Sequence, residues 1–243
     1  MSAAERVSFI AFEPHRQLVA ALLTEAQRRP EVVGVLLIGS LGRGNAVPGS
    51  DVDLLLLVAD GRSEERPVHH EERAGVLIEL HYRDSAWASA QMDRDSEWIY
   101  AYLEGRILYD PTGNLARLVA SAQERFAAYR TPPQDKARIV FLADRTRDKL
   151  QAALAVEDHA RAGTIVALGA GGIVRLLWAA HDRPTVGPTN LWHHLAALPD
   201  FPAETQQHVR ELLLGHSPER VEAAIALCTA IVTRLSGTTL PSS

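Results

Sequence analysis

Two apolar runs that bracket a tight turn and a pair of carboxylates constrain this chain more than any other feature. Residues 32–58 read VVGVLLIGSLGRGNAVPGSDVDLLLLV. Val32 to Ile38 is rich in β-branched residues and leucine and ends at a glycine, which predicts a short buried strand. Gly39-Ser40 then turns the chain. Gly39 can take backbone shapes closed to other residues. Ser40 is a good helix N-cap and predicts a short helix through Leu41 to Gly44. Amide groups at such a start favour an anion, phosphate above all, and Arg43 adds a planar cation within one turn of it. Pro48-Gly49-Ser50 is loop chemistry. Asp51-Val52-Asp53 opens a second strand that continues through Leu54 to Val58.

Side chains two apart on a strand point the same way, so Asp51 and Asp53 project from one face at the strand end nearest the Gly-Ser turn. Carboxylates so close repel each other and lose solvation unless a cation lies between them. An oxygen-only ligand set of this kind suits Mg²⁺, which is held by one or two carboxylates plus substrate phosphates. A third acid, Glu79, stands between Ile78 and Leu80 in the strand-like run Val76 to His81, on one face with Leu77 and His81. Asp-x-Asp alone is a common surface pattern, and Gly-Ser alone is weaker. A strand, Gly-Ser, ten residues, Asp-x-Asp entering a second strand and an acid in a third is a far more specific combination.

Gly39-Ser40, Arg43-Gly44 and Ser50-Asp51-Val52-Asp53-Leu54 together resemble the DNA polymerase β-like nucleotidyltransferase superfamily. The likeness is greatest to its minimal members with an appended helical domain, such as aminoglycoside and lincosamide nucleotidyltransferases and MNT-type (minimal nucleotidyltransferase) proteins. The resemblance covers about the first half of the chain. It implies an α+β fold, a small mixed sheet followed by an all-helical bundle that closes over the nucleotide and shapes the acceptor pocket. It also implies transfer of a nucleoside monophosphate from ATP or another NTP to an acceptor hydroxyl, with pyrophosphate released. Asp51, Asp53 and Glu79 are then the expected ligands of two Mg²⁺ ions, and Gly39, Ser40, Arg43 and Ser50 the expected nucleotide-binding group. The acceptor is expected to be a small hydroxyl compound such as an aminoglycoside-like antibiotic. The alternative is an antitoxin-type transferase that modifies a protein or RNA partner.

Charge narrows the partners. The chain carries 25 Lys+Arg and 30 Asp+Glu, a formal net charge of −5. Residues 1–131 hold 14 cations against 19 acids and residues 132–243 hold 11 of each. An excess of acid argues against broad, phosphate-driven binding to nucleic acid, so a triphosphate in the first half needs a metal bridge and local donors such as Arg43. The single cysteine, Cys228, excludes a disulfide framework and fits a reducing cytoplasm. Charges interrupt the N-terminus where a signal peptide would be apolar. The most apolar stretch, Ala162 to Ala180, contains four glycines and Arg175, which argues against a membrane span. A homodimer is left open.

Thr131-Pro132-Pro133 marks the expected boundary between domain 1–131 and domain 132–243. Before it, Pro14 to Arg29 reads as an amphipathic helix. Gly61 to Arg73, including His69-His70-Glu71-Glu72, reads as an exposed loop. Ser85 to Met92 is a helix capped by Ser85, Trp98 to Leu103 is helical, Arg106 to Tyr109 is a strand, and Leu115 to Phe126 is a helix. About four strands are expected. After the boundary, helices are expected over Gln134 to Val156, Ala160 to Ala180, Leu191 to Leu198, Glu204 to Leu214 and Pro218 to Leu235. The glycines at 163, 169, 171 and 172 weaken the second of these or admit a neighbouring helix. Asp144 is a candidate acceptor-side base; the competing reading is an ordinary surface pair with a neighbouring arginine or lysine. Arg175 and His181 resemble the Arg-x(4–6)-His signature of HEPN ribonucleases, but read more simply as a surface cation and a helix C-terminal residue. Trp178, His181, Trp192, His193 and His194 line a ligand pocket or serve packing.

Overall fold

A computed structural model describes residues 2–60, 68–187, 194 and 201–237. The chain divides into two compact units, Met1–Ala128 and Tyr129–Ser243.

The first unit is built on a five-stranded mixed sheet of order β3-β4-β2-β1-β5. Its strands are β1 (Val32–Leu37), β2 (Val52–Val58), β3 (Val68–Arg73), β4 (Val76–Arg83) and β5 (Arg106–Tyr109). β2 and β4 run parallel, and every other neighbouring pair is antiparallel. The unbroken leucine run of β2 follows from burial on both faces. Val52, Leu54, Leu56 and Val58 pack with β1 residues Val35 and Leu37 beneath α1 (Ala3–Arg6) and α2 (Glu13–Gln27). Leu55 and Leu57 pack with Leu36 on the opposite face, beneath α4 (Ser85–Arg94), α5 (Glu97–Glu104) and α6 (Asn114–Ala128). Between β1 and β2 lies α3 (Gly39–Arg43), ended by Gly44 in the left-handed region at φ 82°.

Three local expectations need correction. The stretch read as a loop over Gly61 to Arg73 contains strand β3, which forms a hairpin with β4 through Ala74 (φ 54°) and Gly75 (φ 75°). Two consecutive positive φ values suit the tight turn that joins twisted antiparallel strands. β3 is an edge strand, so its VHHEER sequence carries none of the alternating apolar signal that marks a strand with a buried face. Ser40 does not cap α3: the N-cap is Ile38, without a side-chain cap, and Ser40 lies inside the helix. Asp84, not Ser85, caps α4, its carboxylate accepting the Trp87 amide at 2.7 Å.

The second unit is helical throughout its described residues: α7 (Pro133–Ala155), α8 (His159–Ala180), α9 (Ala203–Leu214) and α10 (Ser217–Ser236). Its entry is tied down locally. The Thr131 hydroxyl donates to the Ala179 carbonyl at 2.6 Å, its amide donates to Asp182 at 2.9 Å, and Lys136 pairs with Asp182 at 2.9 Å. By length and composition α8 is apolar enough to cross a membrane, yet it buries Val166, Ile173, Val174, Leu177 and Trp178 inside the unit. A methyl group at Gly169, Gly171 or Gly172 would meet nothing within 4 Å, so no described neighbour requires a glycine there; Gly163 alone of the cluster approaches another helix, at Ser217 Oγ. Trp178 is fully buried beside Phe201, as packing requires. Trp192, His193 and the expected helix Leu191 to Leu198, His194 apart, fall outside the described residues.

Candidate active site

The site is assembled beside α3, where β1 ends and β2 begins, opposite the middle of β4. Parallel pairing of β2 with β4 sets Asp53 directly opposite Glu79. Residues in register on neighbouring strands share a face, and this is the face on which Leu55 and Leu57 are buried beneath α4 to α6. The Asp53 carbonyl accepts the Ile38 amide at 3.0 Å, locking the end of β1 to the start of β2. Burial, followed by the charges of Asp51 and Glu79, pushes the Asp53 carboxyl from an ordinary 3.8 up to about 7, against a smaller pull downward from Arg43. Asp51, Glu79 and Arg43 therefore all lie close enough to act on Asp53. Among the described residues no three carboxylate, imidazole or thiol groups are gathered as a preformed metal cage.

Gly39 has a positive φ of 66°, and a Cβ added there would clash with Asp53 Oδ2, 3.0 Å from Asp53 Cγ. The bend is thus shaped around the Asp53 carboxylate. Gly42 is equally constrained, since its Cβ would meet the Leu37 carbonyl oxygen at 2.5 Å. These two glycines let α3 lie against the end of the sheet. The Ser40 hydroxyl is buried without a hydrogen-bond partner among the described residues. A buried unpaired hydroxyl is costly unless a further group completes it. Arg43 Nη1 lies 3.5 Å from Glu104 Oε2 at the end of α5, both side chains largely buried. Ser50 shapes the loop: its hydroxyl accepts the Val47 amide at 2.9 Å, and its carbonyl accepts His15 Nε2 at 2.8 Å. His15 comes from α2 and is buried, so a helix on the far side of the sheet fixes the approach to Asp51.

Glu79 has imidazoles on both oxygens. His81 Nε2 is 3.1 Å from Oε1 and His70 Nε2 is 3.5 Å from Oε2. His70 faces Glu79 because β3 and β4 pair those two residues. Burial lowers the His81 pKa from its ordinary value; the Glu79 charge opposes this, and Arg83 and His70 add to it. The His81 ring meets Trp98 edge-on at 5.4 Å.

Asp144 is on α7, in the helical unit, with its carboxylate 2.5 Å from Arg147 Nη2, which also lies 3.4 Å from Asp148. His181 is the C-cap of α8, and Arg175, on the same helix, is exposed. Four residues near the site were not among the expected site residues: His15, His70, His81 and Glu104. Only His81 was readable as a neighbour of Glu79, from the two-residue spacing on β4; the others reach the site from elements whose placement a single sequence does not reveal.

Residues 19–104 match the family model of the nucleotidyltransferase domain. That segment holds Gly39, Ser40, Arg43, Ser50, Asp51, Asp53, Glu79 and both imidazoles beside Glu79. That segment is a nucleotidyltransferase domain, and domains of this kind generally act on nucleoside triphosphates with divalent metals. No curated protein matches the sequence significantly. Among solved structures, a nucleotidyltransferase-like protein from Exiguobacterium sibiricum is similar at 17% identity and a TM-score of 0.44, over 89% of this chain and 74% of that one.

Proposed function

We propose that this nucleotidyltransferase depends on Mg²⁺ and moves a nucleoside monophosphate, AMP from ATP, onto a hydroxyl of a small-molecule acceptor of the aminoglycoside type, releasing pyrophosphate. The observation that carries the reading is the strand register that sets Asp53 opposite Glu79, with the Gly39 bend packed against the Asp53 carboxylate; burial, then Asp51 and Glu79, make that carboxyl costly to ionise. A bound divalent cation reverses that cost, because it stabilises the ionised form of each carboxylate at once. The bend shaped around Asp53 by Gly39 and the unpaired Ser40 hydroxyl beside it fit the same assignment.

Asp51, Asp53 and Glu79 are the residues that would hold two Mg²⁺ ions, which when bound neutralise triphosphate charge and lower the pKa of the acceptor hydroxyl. Ser40 and the amides around Gly39 are assigned to the β and γ phosphates. Arg43 is assigned to the same phosphates, with Glu104 steering its guanidinium. Ser50, tied to Val47 and His15, holds the loop that delivers Asp51. In the reaction the acceptor oxygen bonds to the α phosphorus, the bond from that phosphorus to the pyrophosphate oxygen breaks, and the hydroxyl proton is released. The acidic balance of residues 1–131 favours a neutral or cationic acceptor over a polyanion.

The test is to incubate the protein with Mg²⁺ and ATP, CTP, GTP or UTP labelled at the α phosphate. Aminoglycosides, lincosamides, cellular protein and tRNA are supplied in parallel as acceptors. Label on a small hydroxyl compound is the expected result. Label on protein or RNA would replace the acceptor assignment with the antitoxin-type alternative, and no transfer to any acceptor would refute both. In the same assay Arg43→Ala should raise the KM for NTP by about 10- to 100-fold, the loss expected for one charge-assisted phosphate contact. Arg43→Lys should recover only part of that loss, because an ammonium lacks the planar fork. An unchanged KM in Arg43→Ala would remove Arg43 from the phosphate site.

A further inference from the structure

We propose that His81 is a positioning residue for Glu79: its Nε2 restrains the Glu79 carboxylate on the face it shares with Asp53, and the aromatic groups of α4 and α5 hold the imidazole in place. The inference rests on the reading of Glu79 as a metal ligand and goes beyond it by naming what orients that ligand.

A glutamate has three rotatable bonds, and the Glu79 side chain is 29% exposed. The acids at 51 and 53 repel it. Left to itself, such a carboxylate gains entropy and solvation by swinging outward. The 3.1 Å approach of His81 Nε2 to Oε1 is a close polar contact, the shorter of the two imidazole contacts, and opposes that swing. The 3.5 Å approach of His70 to Oε2 is too long for a hydrogen bond, and the His70 side chain is 58% exposed, so its restraint is weaker.

His81 is itself well fixed. It is 9% exposed and stands in register between Val68 of β3 and Leu55 of β2. Its ring packs edge-on against Trp98, which packs edge-on against Trp87 at 5.4 Å, and Arg83 lies 4.0 Å over the Trp87 ring. A chain of packed rings thus runs from α4 and α5 to the nitrogen that touches Glu79. Hydrogen-bonded partners of metal-ligating carboxylates tune metal affinity without touching the metal.

The experiment titrates Mn²⁺, a spectroscopic stand-in for Mg²⁺, into the full chain with a non-hydrolysable ATP analogue and follows free Mn²⁺ by electron paramagnetic resonance. His81→Phe keeps an aromatic ring against Trp98 and deletes both nitrogens. It should weaken Mn²⁺ binding by about 10- to 100-fold. His81→Gln, whose amide can donate at a similar reach, should restore most of that loss, and His70→Ala should change binding by less than about 3-fold. Glu79→Gln should cost at least as much as His81→Phe, and adding His81→Phe to it should cost little more, since coupled residues are not additive. If Glu79→Gln binds Mn²⁺ as the wild type does, the metal reading of Glu79 fails first. If Glu79→Gln loses Mn²⁺ while His81→Phe keeps it, or the His81→Phe loss persists in full without Glu79, the positioning role is overturned.

Discussion

Asp53→Asn should yield a protein that is inactive and more stable than the wild type. Activity should fall by roughly 10²–10³-fold or more, because the substitution removes a charged group that only a metal-bound reaction centre needs. The stability gain has a defined pH window. The carboxyl ionises near 3.8 when unfolded and near 7 when folded. Below 3.8 both states are protonated and Asp53 costs nothing. Between 3.8 and about 7 the unfolded state is ionised and the folded state is not, so the penalty on folding grows with pH; above about 7 it is complete. In a metal chelator at pH 8, Asp53→Asn should therefore exceed the wild type by on the order of 1–4 kcal/mol. The gap should close as the pH falls toward 4. Chemical denaturation across that range checks it; a gap that is flat, or that widens at low pH, would contradict the arrangement of charge around Asp53.

Gly39→Ala should be nearly as damaging to activity for a different reason. The left-handed backbone at 39 costs an ordinary residue roughly 1–2 kcal/mol. More importantly, the new methyl would clash with Asp53 Oδ2, so either the bend or the carboxylate must move. A displacement of about 1 Å in a reacting group can cost about 10²-fold in rate. The expected variant folds, melts a few degrees lower, and transfers nucleotide at least about 10²-fold more slowly. A Gly39→Ala enzyme with wild-type turnover would show that the contact between the bend and Asp53 is incidental.

Legibility in the sequence followed burial. The leucine run of β2 and the β-branched run of β1 announced strands because each is buried. The two-residue period predicts one face for Asp51 and Asp53, although β2 itself begins only at Val52. Glu79 stood out because an acid between Ile78 and Leu80 contradicts its surroundings. β3 was invisible because an edge strand with no buried face needs no alternation. Ser40 was misplaced because a serine before a short helix looks the same whether it caps the helix or enters it, and the difference leaves its hydroxyl uncommitted. Glu104 and His15 depend on how α5 and α2 come to rest against the sheet, and no local pattern encodes that. The acceptor remained out of reach because the motif specifies phosphate chemistry, whereas acceptor selectivity depends on pocket shape.

The most direct test of the central claim counts protons. Carboxylates from β2 and β4 are held to gather a divalent cation, and Asp53, with its carboxyl near 7 in the free protein, must ionise when they do so. Calorimetric titration of the nucleotide-free protein with Mn²⁺ at pH 7, repeated in buffers of different ionisation enthalpy, should reveal release of roughly half a proton per protein at the first binding event. Asp53→Asn should release none. Heats that do not depend on the buffer, or proton release that survives in Asp53→Asn, would place the metal elsewhere and remove the basis for the enzyme described.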